Sequence, residues 1–424
     1  MNRNPNGLLK GVRAVELATF VAGPSLGRML THYGAEVIKV ENPAGDYWRT
    51  FGTKYNMPAK EEENALFDQY NGCKKSLILD LKKEEGKAVL LKLLETADIF
   101  IVNVRTRALE RLGLDYETLK ERFPRLIYAH ITGYGDLGPD KDLPAYDTTA
   151  FWAATGFIND LSLDGMEERY PVDTPASVGD TTTGAMLYGA VATALYAREK
   201  TGKGDRVTVS LFGTALWVMS HLTISSQAKY GRVYPRTHRT CTPPPFKCAD
   251  GEWIVLSLLT NWERDYPVFC RAMGREDLVE DARFACVDDY ILAENSAAFT
   301  DIFDPMFLAR PTDYWKKLFD ENRLVCAVVG HFRTDTESEQ AHVNGFVRSH
   351  TMPGGETCWI TVPSPQSANM GAGDFWRGPL LGEHSAEIME ELGYSNEEIR
   401  QMAREKITYI NPRKGIWYRA GSRA

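Results

Sequence analysis

The sequence predicts an α/β protein whose first half is a wound, parallel sheet, and three observations carry that expectation. Short runs rich in Val and Ile alternate with helix-length amphipathic segments over residues 1–135. Each of these apolar runs is strand-sized and bounded by Gly, Pro or charged residues. The composition, 43% hydrophobic and 25% charged over 424 residues, is that of a globular chain long enough for two domains.

Taken in order, residues 12–17 read as a strand, 22–33 as a helix opening on Gly23-Pro24, and 36–41 as a strand of alternating Val and Ile. A β-α-β succession of this kind favours parallel pairing. A second round follows, with a strand at 77–81, a helix at 84–96 and a strand at 99–103. Residues 108–122 are helical, and 126–132 form a strand that breaks at Gly133-Tyr134-Gly135. The Pro- and Asp-rich stretch 136–147 is irregular, and irregular segments after strand ends are where α/β proteins carry their sites. A helix at 181–198, a strand at 206–211 and a helix through Trp217 and His221 close this half.

Prolines break regular structure over 230–247, which marks a linker. The domain reading is a large domain at 1–225, a linker at 226–248, a small α/β domain at 249–335, and 336–424 as a linker returning to the large domain. Strands at 253–258 and 326–329 and helices near 262–273, 297–307 and 312–321 make up the small domain. The tail at 382–406 is helical and charged.

The formal net charge of -8 argues against a broad nucleic-acid surface. The first seven residues lack an apolar signal core, and no run of about eighteen apolar residues occurs; a cytoplasmic protein with no membrane role is expected. Seven cysteines, odd in number and without a CxxC pair, suggest neither a disulfide framework nor a metal site.

Asp180 follows Gly179 where a helix is about to begin, so it reads as an N-cap or first-turn residue. Free backbone N–H groups and the helix dipole favour an ionised carboxylate there. By local pattern alone this is a capping aspartate. The other helix-opening signal, Ala22-Gly23-Pro24-Ser25-Leu26-Gly27, lacks the G-x-G-x-x-G spacing and places proline in the turn, which argues against a nicotinamide dehydrogenase.

A series of short motifs continues in order along nearly the whole chain. It includes Gly11-Val-Arg-Ala-Val-Glu-Leu17, Gly34-Ala-Glu-Val-Ile-Lys-Val-Glu41, Gly45-Asp46, Lys74-Lys-Ser76, Leu109-Glu-Arg-Leu-Gly113, Tyr146-Asp147, Gly179-Asp180 and Leu381-Gly-Glu-His384. In this the chain resembles the family III coenzyme A transferases, the formyl-CoA and carnitine-CoA transferase group. The resemblance implies a Rossmann-like large domain with a parallel sheet and a smaller α/β domain, joined by long linkers in an interlocked homodimer. It implies Asp180 as the nucleophile: its carboxylate attacks an acyl-CoA thioester to give an acyl-aspartyl anhydride, and an aspartyl-CoA thioester then passes CoA to the incoming acid. The family's CoA-binding positions fall on Phe20, Val21, Ala22, Leu79, Lys82, Asn103, Val104, Arg111 and Tyr146, with an acidic neighbour at Asp147. Lys82 and Arg111 suit phosphate charges, and Asn103 suits the carrier arm.

Ile131-Thr-Gly-Tyr-Gly135 and Gly204-Asp-Arg-Val-Thr-Val-Ser-Leu211 look most like the 2-hydroxyacyl-CoA transferases of amino-acid-fermenting anaerobes. Those exchange CoA between an enoyl-CoA, such as cinnamoyl-CoA or isocaprenoyl-CoA, and the matching (R)-2-hydroxy acid, in pathways with a 2-hydroxyacyl-CoA dehydratase. The resemblance therefore implies acyl-CoA and carboxylic acid substrates with no permanently bound cofactor. An apolar side-chain pocket is then required, with Phe151, Trp152 and Trp217, and beside them Phe157 and Met219, as candidates by proximity to the motifs. Two features depart from the formyl-CoA enzymes: Asn42 stands where arginine is common, and the segment 236–246 replaces a glycine run that acts as a lid.

Three readings compete. An α-methylacyl-CoA racemase shares the fold but uses a histidine base where this chain has Tyr146, a poor base at neutral pH. CoA transfer to oxalate, formate or carnitine is another, and a Rossmann-type oxidoreductase lies outside the class.

Overall fold

In the computed structural model, residues 7–160, 174–175, 177–230, 243–258, 261–370 and 375–412 are described. The alternation of apolar runs and helices produces β1 (Arg13–Leu17), α1 (Ala22–His32), β2 (Glu36–Glu41), α2 (Ala65–Asn71), β3 (Lys75–Ile78), α3 (Glu84–Leu94) and β4 (Ile99–Val102). These are followed by α4 (Thr106–Leu112), α5 (Tyr116–Arg122), β5 (Ile127–Thr132), a π-helical turn (Asp147–Ala153), α6 (Val178–Thr201), β6 (Arg206–Ser210) and α7 (Leu211–Val218). The six strands form one sheet in the order β3-β2-β1-β4-β5-β6, and every pairing is parallel. The predicted parallel α/β architecture is therefore present.

Both faces of the sheet are covered, as a parallel sheet requires. Successive strand residues point to opposite faces. Ile99 and Ile101 join Ala14, Val37 and Ala129 in a core with α1 and α6, whereas Phe100 and Val102 join Val15, Val40 and Tyr128 in a core with α3 and the C-terminal helices. Where α6 crosses α1 the helices touch through glycine: a Cβ on Gly184 would lie 1.9 Å from Ser25 Oγ and 2.7 Å from the Ala22 carbonyl oxygen.

Charges run through the sheet on the β2–β3 side. Lys39 Nζ lies 3.1 Å from Glu16 and 2.9 Å from Asp46, and Lys74 Nζ lies 2.8 Å from Glu16, all of them fully buried side chains. Glu41 accepts from Arg49 and from Ser76 Oγ at 2.9 Å. Such pairs are retained at a desolvation cost and are weak evidence for stability. Their geometry instead fixes loops, as the site below shows.

Several elements differ from the sequence reading. β3 begins at Lys75 rather than Leu77, because Ser76 pairs with Lys39 and satisfies Glu41 from inside the strand. Residues 106–122 form two helices, since Gly113 closes the first in the left-handed region (φ 66°) and Asp115 caps the second. The charged tail is likewise two helices, Ser385–Glu391 and Asn396–Arg404, separated by Gly393 at φ 85° and restarted by a Ser395–Glu398 capping box. An antiparallel pair, Val347–Thr351 with Thr357–Thr361, was not anticipated.

The chain divides into two units. Among the described residues the first comprises 7–157, 174–219 and 339–412, and 220–338 belong to the second. The second unit has its own antiparallel three-stranded sheet, Phe246–Lys247, Trp253–Ser257 and Val325–Val328. Its helices Trp262–Ala272, Ala293–Phe307 and Thr312–Glu321 pack an aromatic core in which Phe246 and Phe307 stack at 4.2 Å. Among the described residues no helix is long and apolar enough to cross a membrane.

Candidate active site

β1 and β4 are neighbours in the sheet although β2 and β3 lie between them in sequence, so the chain leaves their carboxyl ends in opposite directions. Such a reversal opens a crevice. Here Asn103, just past β4, stitches the two loops together: it accepts from the Thr19 N–H at 3.0 Å and donates to the Thr19 carbonyl at 2.8 Å. The next residue, Phe20, sits at φ 62°. Its N–H donates to Asp46 Oδ1 at 3.1 Å, and the Trp48 N–H donates to the same oxygen at 3.0 Å. The buried Lys39–Asp46 pair thus holds an aromatic residue in a backbone conformation it rarely adopts.

A cavity of about 640 Å³ opens at this place. One wall is aromatic: Phe20 lies 5.7 Å from Tyr47, 6.1 Å from Phe51 and 5.7 Å from Tyr146, and Phe51 lies 4.8 Å from Trp48 and 5.7 Å from Tyr55. The same cavity is lined by Ser177 and Asp180 at the start of α6 and by Asp147 from the π-helical turn. Asp180 is the third residue of α6, inside the first turn; the N-cap is Ser177, at φ 70° and without a side-chain cap hydrogen bond. A Cβ on Gly179 would stand 2.3 Å from both Asp147 Oδ1 and Phe151 Cγ, so glycine is what lets the turn sit on the aspartate.

The electrostatics differ from the simple expectation of a carboxylate kept ionised by a helix start. Burial pushes the Asp180 carboxyl up to about 7, and the charge of Asp147 adds to the rise. Burial likewise pushes Asp147 up to about 6, against the pull of the Ser177, Gly179 and Asp180 N–H groups. Tyr70 of α2 is raised by burial as well and faces the Thr181 and Ser177 hydroxyls. A second cavity, of about 500 Å³, is lined by Arg105, Arg107 and Arg111 with Asp142, and Arg105 lines both cavities. Arg107 pairs with Asp142 at 3.1 Å. Among the described residues no group of acidic, His or Cys side chains is arranged to hold a metal ion.

The structure brings Phe20, Ala22, Asn103, Tyr146, Asp147 and Asp180 to one cavity and Arg111 to the other. The remaining candidates line neither cavity. Val21 is buried behind the aromatic wall against Trp48 and Phe67. Leu79 is sheet core, and Lys82 is exposed. Val104 packs toward the same core and accepts from His130 Nε2 at 3.1 Å. Asn103, expected to bond a carrier arm, is engaged on Thr19. Phe151 and Trp152, expected in a side-chain pocket, are buried and pack on each other and on Phe157 behind Gly179. Trp217 is 68% exposed on α7. Asn42 is exposed and accepts from the Ala44 N–H at 2.8 Å. Of the lid segment, 236–242 lies outside the described residues. The aromatic wall was missed, yet a signal existed: Tyr47, Trp48, Phe51 and Tyr55 follow one β-strand's carboxyl end at helical spacing.

Comparison with known proteins adds a different kind of finding. Residues 9–385 match the family described as CoA-transferase family III. Over 98% of this chain and 100% of the other, the sequence is 36% identical to a cinnamoyl-CoA:phenyllactate CoA-transferase of Clostridium sporogenes. It is 35% identical, over 94% of this chain and 99% of the other, to an (R)-2-hydroxy-4-methylpentanoate CoA-transferase of Clostridioides difficile. The crystal structure of a CAIB/BAIF family protein from Brucella suis superposes with a TM-score of 0.76 at 28% identity, covering 91% of this chain and 100% of that one.

Proposed function

The chain belongs to CoA-transferase family III, and from that premise we propose that it exchanges CoA between an enoyl-CoA and a free (R)-2-hydroxy acid, with Asp180 as the nucleophile. The observation that carries this reading is the position of Asp180. It stands half-buried in the first turn of α6, in the wall of the cavity at the sheet's crevice that is also lined by Phe20, Tyr47, Trp48 and Phe51.

The chemistry needs little else. The Asp180 Oδ–acyl bond forms as the thioester C–S bond breaks, and the electron pair leaves on the CoA sulfur. The CoA thiolate then attacks the aspartyl carbonyl of the anhydride, releasing the donor acid and leaving an aspartyl-CoA thioester. The incoming carboxylate attacks that thioester and expels the thiolate to give a second anhydride. The thiolate attacks the acyl carbonyl of this anhydride to form the new acyl-CoA and free the Asp180 carboxylate, so the thioester's free energy is kept. A partly closed, largely apolar site disfavours hydrolysis of both intermediates.

In this reading each cavity takes one end of the substrate. Arg105, Arg107 and Arg111 offer three guanidinium groups for the CoA phosphates. The thioester reaches Asp180 past Thr19 and Tyr146, and the acyl side chain then falls against Phe20, Tyr47, Phe51 and Tyr55. This wall replaces Phe151, Trp152 and Trp217 as the side-chain pocket. It suits an apolar, planar chain better than a second carboxylate, as aromatic faces favour stacking.

An interlocked dimer and a cytoplasmic location belong to the same reading. In support of the dimer, α6 and α7 leave Met186, Tyr196, Leu216, Trp217 and Val218 exposed, large apolar side chains that a partner surface would cover. Sedimentation is expected to return twice the mass of one chain.

A panel of acids assayed with their acyl-CoA donors tests the substrate. Aryl- and branched-chain (R)-2-hydroxy acids are expected to accept CoA; activity confined to oxalate or carnitine overturns the assignment. Phe51→Ala is expected to reduce kcat/KM for an aryl donor by roughly tenfold or more, the cost of one lost aromatic contact and its burial. The same variant should change a two-carbon donor little.

A further inference from the structure

We propose that Asp147 is a positioning residue for Asp180: from outside the helix its carboxyl group closes the first turn of α6, and as the acidic neighbour it sets the charge state of the nucleophile. The inference rests on the reading of Asp180 as nucleophile and gives Asp147, placed among CoA contacts by sequence, a different role.

Three observations converge on it. Helix α6 begins without the usual cap, since the Ser177 side chain makes no cap hydrogen bond and its backbone is left-handed. Asp147 stands in the place of that cap. It is 6% exposed, and its Oδ1 lies so close to Gly179 that no Cβ fits between them. Both of its oxygens are buried and neither completes a hydrogen bond, while the backbone N–H groups of Ser177, Gly179 and Asp180, and after them the Trp152 indole N–H, are the donors that bear on it. A carboxylate over a helix's first turn is favourably placed, but here a second carboxylate occupies the same turn.

The two acids line one cavity. Tyr70 from α2 faces the hydroxyls beside them, and Tyr146 and Arg105 line the cavity. The other charged groups on elements packed against α6 are engaged elsewhere. Arg28 of α1 lies over Phe375, and His32, at the far end of that helix, stands against Tyr33. His130 of β5 bonds to Val104, Arg206 of β6 pairs with Asp136, and α7 carries no titratable group. The electrostatic partner that bears on Asp180 is therefore Asp147.

The consequence for chemistry follows from charge balance. Attack converts the Asp180 carboxylate into a neutral anhydride and carries its negative charge away on sulfur. Repulsion from Asp147 is present before attack and gone after it. Asp147 thus raises the energy and basicity of the nucleophile in the ground state, without itself touching the thioester.

The test reads the pair without substrate. Full-length protein labelled at aspartate Cγ is titrated by 13C NMR, and the Asp180 signal is identified by its loss in Asp180→Asn. In Asp147→Asn, which keeps the shape and one acceptor oxygen, the Asp180 midpoint is expected to move down by on the order of one pH unit. Coupling is mutual, so Asp180→Asn should lower the Asp147 midpoint equally; that second variant serves if the first folds poorly. In turnover, Asp147→Asn should shift the acid limb of kcat/KM to lower pH. It should also cut kcat roughly tenfold and leave KM for the acyl-CoA within about threefold. Midpoints that stay put in both variants overturn the proposal. Moved midpoints in a protein that transfers no acyl group would overturn the functional reading instead and leave the pairing standing.

Linkage gives an independent sign. Both acids bind their protons more tightly in the folded chain than in the unfolded one. The stability this contributes is full below about pH 4 and is lost as pH rises through about 6 to 7. Urea midpoints of the wild type should therefore fall between pH 5 and pH 8 by more than those of Asp147→Asn; equal falls count against the proposal.

Discussion

Asp180→Ala is expected to lower kcat for acyl transfer by at least about 10⁴-fold, the scale on which loss of an enzyme's nucleophile is felt. The expectation is large because nothing else on the cavity wall replaces the group. Among the described lining residues the carboxylates are Asp147 and Asp180, and Oδ1 of Asp147 lies against the first turn of α6 beside Gly179. Asp147 is 6% exposed, whereas Asp180 is half-buried and the more open of the two to a ligand. The change should spare the fold, since Asp180 accepts no side-chain hydrogen bond among the described residues and its loss removes a repulsion. A thermal midpoint equal to or above that of the wild type is expected at pH 8. Hydroxylamine added with acyl-CoA should inactivate the wild type by converting the aspartyl intermediate to a hydroxamate, which peptide mass analysis places on Asp180. Turnover near the wild-type rate in Asp180→Ala, or a hydroxamate on another residue, refutes the nucleophile.

How much of this was legible in the sequence depends on the range of the interaction. The alternation of Val/Ile runs with amphipathic helices is a local pattern, and it gave the parallel sheet directly. Ordered motifs gave the family, and the proposal of Asp180 as nucleophile is carried over from it. Pattern reading stumbled where polar residues sit inside elements for tertiary reasons. β3 starts at Lys75 because Ser76 completes a buried network with Glu41 and Lys39. The pair at Val347–Thr351 and Thr357–Thr361 carries few apolar residues and is held in part by Gln69, which bonds Thr361 at 2.9 Å across 292 positions of sequence. The site shows the same division. Phe151 and Trp152 adjoin the Tyr146-Asp147 motif in sequence, yet in the fold both are buried, with Phe151 packed against Gly179. Phe20 and Tyr55 are 35 positions apart in sequence and share one wall because Asp46 holds both Phe20 and Trp48. No local pattern reports a charge state either, so the second carboxylate beside Asp180 became visible only with the fold.

Gly179→Ala is the second large effect, and it tests whether the placement of Asp180 matters as much as its identity. The new methyl would stand 2.3 Å from Asp147 Oδ1, 2.3 Å from Phe151 Cγ and 2.7 Å from Phe151 Cβ. Contacts that short cannot persist. Phe151 cannot give way easily, because it is 2% exposed and stacks on Phe157 at 5.3 Å with Trp152 at 5.6 Å. Nor can α6 slide freely along α1, since Gly184 already meets Ser25 and Ala22 at contact distance. The strain must therefore be taken up by the first turn itself, which carries Asp180. Overpacking of this kind costs about 1–3 kcal/mol of stability, visible as a lower urea midpoint. A displacement of Asp180 on the ångström scale should cost about 10²-fold in kcat. KM for the acyl-CoA should change far less, because the arginines that would hold its phosphates lie on α4 and the loop before it, away from the clash. Wild-type turnover in Gly179→Ala would mean that the first turn can move without consequence, and that the buried carboxyl behind it has no hold on the reaction.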